Sequence, residues 1–260
     1  MLKNAPNPLL HIADVSGSAL FNADCMDILP LIPDKSVQLI LADLPYGTTK
    51  NKWDSIVPLD EMWEQYNRII KSGGAVCLFS QQPFTSKLIN SNINNFRYEW
   101  VIEKDSATGF LNARRMPLKA HDNVVVFYDK LPLYNPQFTE GKPYKVKKHG
   151  NSTNYGAYKV EYENINDGKR FPRDVVKFNT KIQNGTVHPT QKAINVLEYF
   201  IQTYTNEGET VLDSCMGSGS TGVACMNLNR DFVGIEKEPE YFNIAKDRIL
   251  KAKKENLPVS

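Results

Sequence analysis

Four residues whose groups could take part in chemistry, DLPY at positions 43–46, directly follow a mostly apolar run in the segment QLILADLPYG at 38–47. The Asp43 carboxylate can accept a hydrogen bond from an amino group, and the Leu44 carbonyl can accept the second amino hydrogen. Pro45 stiffens the turn, and Tyr46 presents a flat face on which a planar base can stack. This set would hold an exocyclic NH2 group with its lone pair directed outward, which favours attack on a methyl group. An ordinary strand-to-loop turn is the alternative, because such short motifs are common.

A glycine-rich loop in the last third of the chain is the second candidate site. Gly217, Gly219 and Gly222 satisfy the GxGxxG spacing between a predicted strand and a predicted helix, and Glu236 ends the next predicted strand. Glycines let the backbone approach a nucleotide closely, and an acid at a strand end can hold two ribose hydroxyls. A phosphate-binding P-loop is disfavoured because no lysine follows the last glycine.

The position of this loop in the chain helps to decide between two candidate cofactors, a nicotinamide dinucleotide and S-adenosylmethionine. A dinucleotide fold normally begins with its glycine loop, whereas only 38 residues follow Gly222 here. Asp213 also ends the preceding strand four residues before Gly217, which places a carboxylate where a cationic ligand could be met. A sulfonium cofactor with an amino-acid tail fits this arrangement better than a pyrophosphate does.

The elements that must position these groups alternate between strands and helices. The predicted strands are 19–23, 37–42, 75–80, 96–103, 123–128, 209–213 and 231–235. The predicted helices are 25–32, 59–71 ended by Gly73-Gly74, one from 82, 193–205, 223–227 and one from about 239. Short apolar runs of this kind are typical of buried parallel strands, so we expect an α/β fold with a doubly wound, mostly parallel sheet. Residues 1–18 are predicted to form a loosely docked arm, and 48–54 either a mobile loop over a site or a plain connection.

Composition describes an ordinary globular chain with one sizeable core and a small inserted subdomain. The 260 residues are 41% hydrophobic with a formal net charge of +2, so any nucleic-acid surface must come from local clustering. The four cysteines form no CxxC pair, which predicts neither a metal site nor a disulfide framework. Neither a signal peptide nor a membrane-spanning run is evident, and we therefore expect a cytoplasmic location without a membrane partner.

One segment departs from this average. Residues 130–185 contain eleven Lys or Arg against five Asp or Glu, with eight aromatic residues interleaved. We predict that this segment is an insertion that contacts nucleic acid, the alternative being a solvated basic loop. It divides the chain into a catalytic half (1–129), the insertion (130–185) and a cofactor-binding half (186–260). The DNA-contacting candidates are basic pairs, namely Arg114, Arg115, Lys147 and Lys148.

The ordered set of motifs resembles the β class of amino DNA methyltransferases. The segments that carry the resemblance are DLPYG at 43–47, the basic insertion, HPTQK at 188–192, LDSCMGSGSTG at 212–222 and GIEKEPEYF at 234–242. The resemblance covers roughly residues 19–250. It implies a Rossmann-like S-adenosylmethionine methyltransferase fold with a circularly permuted motif order, in which the insertion is a target-recognition region.

The resemblance also implies roles for individual residues. Those implied to form the amine pocket are Asp43, Leu44, Pro45 and Tyr46. Those implied to bind the cofactor are Asp213, Gly217, Gly219, Glu236, His188, Thr190 and Lys192. A helix start explains His188, Thr190 and Lys192 nearly as well. Asp24, at another predicted strand end, is a further cofactor candidate whose alternative is a helix N-cap. Leu44 and Ala193 stand where the family usually has proline.

Site-specific methylation of a flipped base in double-stranded DNA is the function that these features predict. Asp43 favours adenine N6, because cytosine-modifying relatives often carry serine there. Cytosine N4, an RNA substrate, a nicotinamide-dependent oxidoreductase and an inactive DNA-binding protein are the alternatives. Relatives with this motif order are often dimers, so a homodimer is a candidate assembly, and a partner restriction endonuclease is a further candidate.

Overall fold

The computed structural model describes residues 12–15, 18–47, 56–152, 158–179 and 191–256. The chain divides into two compact units: Met1–Asn135 with Asp174–Ser260, and Pro136–Arg173. None of the helices described is long and apolar enough to cross a membrane.

The larger unit is built on one sheet, and its strands follow the predicted α/β alternation. They are β1 (Ile12–Val15), β2 (Ser18–Asn22), β3 (Val37–Ala42), β4 (Ile70–Ser80), β5 (Phe96–Thr108), β6 (Lys119–Phe127), β11 (Val175–Phe178), β12 (Thr210–Asp213) and β13 (Asp231–Glu236). The smaller unit contributes β7 (Thr139–Glu140), β8 (Tyr144–Ser152), β9 (Tyr158–Asn166) and β10 (Lys169–Arg170).

The strand order of the large sheet is β1-β2-β13-β12-β3-β4-β6-β5-β11. Neighbours are parallel except at β1–β2, β4–β6 and β6–β5, which confirms the mostly parallel sheet. Strand β3 lies near the centre and is buried along its whole length, which explains why five of its six residues are apolar.

Helices cover both faces of this sheet. They are α1 (Cys25–Ile28), α2 (Leu59–Ile69), α3 (Phe84–Ser91), α4 (Ile194–Tyr204), α5 (Ser220–Asn227) and α6 (Pro239–Glu255). Buried side chains of α1, α2 and α3 belong to one apolar cluster, and those of α4, α5 and α6 belong to another. The fold is therefore doubly wound, as the sequence predicts.

The change of winding direction occurs between β3 and β12. The chain leaves β12 through α5 to reach β13 on one side, and leaves β3 through α2 to reach β4 on the other. In open α/β sheets the crevice outside such a switch point, at the carboxyl ends of the strands, is where ligands bind. Both candidate motifs follow these two strands.

Three sequence predictions need correction. Residues 12–15, predicted to lie in a loose arm, form β1 and pair antiparallel with β2. The helix predicted to end at Gly73-Gly74 ends at Ile69, and both glycines lie inside β4 where its pairing with β3 changes register. A Cβ on Gly74 would lie 2.7 Å from the Gln38 carbonyl, so glycine permits this close approach. Strand β5 ends later, and β6 begins earlier, than predicted. The prediction missed these portions because they are mostly exposed and carry no apolar pattern.

The smaller unit lies within the predicted insertion. Strands β8 and β9 form an antiparallel hairpin from Tyr144↔Asn166 to Ser152↔Tyr158, and β7 pairs with β10. Phe138 and Phe171 pack with ring centroids 4.9 Å apart, and Arg170 lies over the Tyr144 ring at 4.7 Å. These rings contact one another while remaining exposed, with Phe138 47%, Tyr144 40% and Phe171 71% accessible. The role of the insertion in target recognition stays a prediction.

Candidate active site

Asp43 leaves the carboxyl end of β3 with both of its carboxylate oxygens engaged. The Tyr46 hydroxyl donates to Oδ1 at 2.5 Å, and the Lys192 ammonium donates to Oδ2. The Lys192 nitrogen also lies 4.9 Å from the centroid of the Phe79 ring. The carboxylate is therefore held in one orientation by a neutral donor and a cation.

The rest of the DLPY turn is anchored in the core. Leu44 is buried in the cluster of α1, α2 and α3, so an apolar side chain in place of the family's proline contributes packing. The Tyr46 ring stacks on Phe84 with centroids 5.1 Å apart and an interplanar angle of 28°. The sequence suggested a base as the stacking partner of Tyr46; Phe84 is the partner of one ring face in this structure.

The glycine loop follows β12 and packs tightly against α6. Gly217 and Gly219 have φ of +52° and +77°, a region that favours glycine. A Cβ on Gly219 would also lie 2.8 Å from the Cβ of Ala245. From α6, Arg248 donates to the carbonyl of Ser218 and to its hydroxyl at 2.9 Å. The loop is thus held by its own backbone and by one helix.

Asp213 at the end of β12 is a buried acid. The Thr221 hydroxyl donates to Oδ2 at 2.6 Å and the Cys215 N–H donates to Oδ1 at 3.1 Å. Burial nevertheless raises the pKa of Asp213 to about 7, which those two hydrogen bonds only partly oppose. The nearby charges of Asp43 and Glu236 raise this pKa further. This acid is therefore poised to respond to a neighbouring positive charge.

Two more acids lie at strand ends beside the loop. Glu236 ends β13 and accepts the N–H groups of Gly217 and Glu238, each at 2.8 Å; burial raises its pKa despite these bonds. Asp24 follows β2 and caps α1 by accepting the Met26 N–H at 3.0 Å. Burial opposes ionisation of Asp24, but that bond and Lys237 at 2.9 Å lower its pKa overall.

One cavity of about 570 Å³ connects the two motifs. Its walls include most of the residues that the sequence singled out, namely Asp24, Asp43, Leu44, Pro45, Tyr46, Lys192, Asp213, Gly217 and Glu236. Gly219 is not among the lining residues and acts on the cavity only through the loop. The arrangement brings the amine pocket and the predicted nucleoside site to the two sides of one crevice.

Strands β5 and β6 form a further wall of the cavity, which the sequence analysis did not predict. Lys104 and Lys119 contact the Asp122 carboxylate at 3.3 and 3.2 Å, and Lys119 also donates to Gln81. Burial raises the pKa of Asp122, but the charges of Lys104, Lys192 and Lys119 lower it overall. Arg248 and Phe84 were also missed. Lys119 and Asp122 are three residues apart on β6, whereas the partners in the other contacts belong to separate elements, so spacing along the chain carries no signal for those contacts.

The cavity residues fit an S-adenosylmethionine-type ligand better than a dinucleotide. Three acids line the same cavity as Gly217, and a doubly charged pyrophosphate beside them would be repelled. Arg248 and Lys237 are engaged with Ser218 and Asp24, respectively. Carboxylates of this kind suit ribose hydroxyls and a cationic ligand, so Asp213, Glu236 and Asp24 are the residues that could hold it.

The remaining predicted site residues lie elsewhere. His188 and Thr190 fall outside the described residues. Arg114 and Arg115 are exposed between β5 and β6, and Lys147 is exposed on β8 of the smaller unit. Lys148 is on the same strand, but its side chain is outside the described part of the structure. Lys192, predicted to bind the cofactor, contacts Asp43 instead of the glycine loop, so its position favours a role at the amine pocket.

Comparison with known proteins identifies the family of this chain. A family model described as DNA methylase, covering N6 and N4 enzymes, matches residues 37–247. Type II methyltransferase M.BglII of Bacillus subtilis is 31% identical over 251 residues, covering 87% of this chain and 67% of that protein. Type II methyltransferase M.HindIII of Haemophilus influenzae is 24% identical over 294 residues, covering 88% and 94%.

Solved structures share the fold. The M1.HpyAVI–SAM complex superimposes with a TM-score of 0.61 at 24% identity, covering 88% of this chain and 98% of that one. The cytosine-N4-specific PvuII DNA methyltransferase gives a TM-score of 0.67 at 16% identity, covering 91% and 87%. At these identities the likeness concerns architecture, and it confirms the predicted methyltransferase-type fold.

Proposed function

The chain belongs to the N6/N4 DNA methylase family, and from that premise we propose that it methylates the N6 amine of an adenine flipped out of duplex DNA. Its methyl donor is S-adenosylmethionine. The observation that carries the proposal is the single cavity in which Asp43, at the end of β3, faces the acidic glycine loop that follows β12. The adjacent parallel strands β3 and β12 thus place the amine pocket and the nucleoside pocket on opposite sides of one cavity.

S-adenosylmethionine supplies an electrophilic methyl group on a sulfonium centre. Glu236 at the end of β13 is positioned to hold ribose hydroxyls, and Asp213 supplies a carboxylate beside the loop. The positive φ values of Gly217 and Gly219 keep the loop backbone open to the ligand.

Asp43 and Leu44 act on the amine. An exocyclic amino group is a weak nucleophile while its lone pair is conjugated with the ring. When one hydrogen is drawn toward Asp43 and the other toward the Leu44 carbonyl, the nitrogen becomes tetrahedral and its lone pair is directed outward. The Tyr46 hydroxyl and the Lys192 ammonium fix the carboxylate in place for this contact. The incoming amine shares or replaces one of these donors.

The choice of adenine over cytosine as the target base rests on the aspartate at position 43. A carboxylate is a strong acceptor for an N6 hydrogen, and the family resemblance associates serine with cytosine targets. The assignment to a restriction system is a further part, supported by the two relatives that are named type II methyltransferases. A homodimer belongs to the same proposal, and sedimentation of the purified protein tests it.

The decisive experiment identifies the methylated nucleoside. The protein is incubated with methyl-labelled S-adenosylmethionine and unmethylated plasmid DNA, with total RNA in a parallel reaction, and each product is digested for mass spectrometry. Labelled N6-methyl-2′-deoxyadenosine in the DNA digest is the expected result. N4-methyl-2′-deoxycytidine would retain the enzyme class and overturn the base assignment. Label in RNA alone would overturn DNA as the substrate.

A further inference from the structure

Apolar side chains are exposed at the turn between β5 and β6, which we call the hairpin tip (residues 109–118). Phe110 and Leu111 are 78% and 91% exposed, and Met116 and Leu118 are 57% and 46% exposed. Four large apolar side chains within nine positions form a patch of the kind that marks an interaction site. Between them stand Arg114 and Arg115, both exposed.

The tip has a defined backbone. Gly109 adopts φ +90° at its start, and a short 3-10 turn spans Phe110–Asn112. The Arg115 N–H donates to the Asn112 carbonyl at 2.8 Å, which closes a second turn. The apolar side chains are therefore presented on an ordered scaffold, and they do not fold back onto the sheet.

The stem of this hairpin belongs to the cavity wall. Ile102, Lys104, Ser106 and Thr108, all on β5, line the same cavity as Asp43. Thr108 pairs with Lys119 on β6, so the tip begins one residue beyond the wall. A base that flips into the cavity beside this stem leaves a gap in the DNA base stack. Because the tip directly follows the stem, that gap would lie close to the tip.

We propose that the hairpin tip is the wedge that enters the base stack of duplex DNA, with Phe110 and Leu111 filling the gap left by the flipped base. This inference rests on the proposed function. Proteins that open duplex steps commonly insert Phe or Leu and hold the flanking backbone with cations. Within the described residues no ion pair engages Arg114 or Arg115, which leaves both cations for phosphates.

Charge and position select DNA over other occupants. An apolar patch that carries two cations suits a polyanion, and it adjoins the cavity in which the base amine must arrive. Binding of the tip to a lipid surface would not explain why the tip adjoins that cavity. A second copy of this chain would have to supply matching acids to the arginine pair.

The test compares the double variant Phe110→Ala/Leu111→Ala with Leu131→Ala, whose side chain is 82% exposed outside the tip. Wild-type protein first methylates a plasmid, and single-molecule sequencing gives its target motif. Short duplexes are then made with the motif intact, or with a mismatch opposite the target base that already weakens its pairing. Single-turnover methyl transfer and DNA affinity are measured on both duplexes.

For the double variant we expect transfer on the matched duplex to fall by about tenfold or more, because the unstacked base is no longer replaced. The mismatched duplex should restore transfer to within about twofold of wild type, since its base leaves the stack at lower cost. Leu131→Ala should behave as wild type on both. In the double variant, fluorescence of 2-aminopurine next to the target base should no longer rise at saturating protein.

Other outcomes overturn the wedge while leaving the proposed function intact. An unchanged rate would do so, and so would an equal loss on matched and mismatched duplexes. Loss of self-association or of binding to phosphatidylglycerol vesicles, with normal base flipping, would assign the tip to a second copy or to a membrane. Absence of DNA methylation by the wild type would instead refute the proposed function itself.

Discussion

Lys192 forms an ion pair with Asp43 although 149 residues separate them in the chain. Lys192 lies just before α4, and Asp43 lies just after β3, so the contact joins the two halves of the large unit. The side chains are only 22% and 23% exposed, which shields the pair from solvent. A cation at this point stabilises the negative charge that Asp43 carries as an acceptor.

Replacing Asp43 with Ala should abolish methyl transfer while leaving S-adenosylmethionine affinity within about twofold, because Asp43 acts on the amine and the loop residues hold the donor. Single-turnover transfer and calorimetric titration measure the two properties separately. Turnover at the wild-type rate would remove Asp43 from the mechanism.

Lys192→Met should lower the rate of transfer by about tenfold or more, since the carboxylate loses a charged hydrogen-bond partner in a partly buried site. Lys192→Arg, which keeps the cation, should retain more activity than Met. If Lys192 serves the cofactor instead, the S-adenosylmethionine Kd will rise in Lys192→Met while the rate at saturation stays unchanged.

Gly219→Ala should impair cofactor binding, because it combines a positive φ with a Cβ only 2.8 Å from Ala245. Gly208 provides a matched control, since its φ of +74° is similar but a Cβ there meets nothing within 4 Å. Gly208→Ala should cost about 1 kcal/mol of stability from backbone strain and leave the Kd unchanged. Equal effects of both variants on the Kd would show that the contact with α6 is unimportant.

Asp213 should make stability depend on pH. Its folded pKa is about 7 and its ordinary value is 3.8, so between these values the folded protein binds more protons than the unfolded chain. The free energy of unfolding should therefore fall as pH rises through this window, by about 1.4 kcal/mol per unit of pKa shift. Urea unfolding of wild type and Asp213→Asn across the window checks this. The difference between their stabilities should change with pH, and a constant difference would contradict the prediction.

Lys147→Ala/Lys148→Ala should weaken binding to duplex DNA and lower the slope of log K against log salt by about one unit for each phosphate that the pair neutralises. Lys35→Ala is a suitable control, because Lys35 lies in the turn before β3 and donates to the Asn67 carbonyl. A slope equal to that of wild type would show that the β8 pair makes no phosphate contacts.

Sequence patterns located the elements because each pattern reports a local property. The continuous apolar run of β3 predicted a buried strand with the bounds that the structure has, and the helices at 59–71 and 193–205 lie within about two residues of α2 and α4. Strand β1 and the outer parts of β5 and β6 were missed because their residues lie at an edge or in solvent, where no apolar periodicity is required.

By itself the sequence determined the order of motifs, the acids at strand ends and the family, since these depend on residue types and short spacings. Only the tertiary structure decided which strands are neighbours, and so that β3 and β12 present Asp43 and Asp213 to one cavity. The Lys192–Asp43 pair, the Arg248 contacts and the raised pKa of Asp213 likewise depend on packing between distant segments. Burial and charge proximity are properties of the folded chain, and no local pattern encodes them.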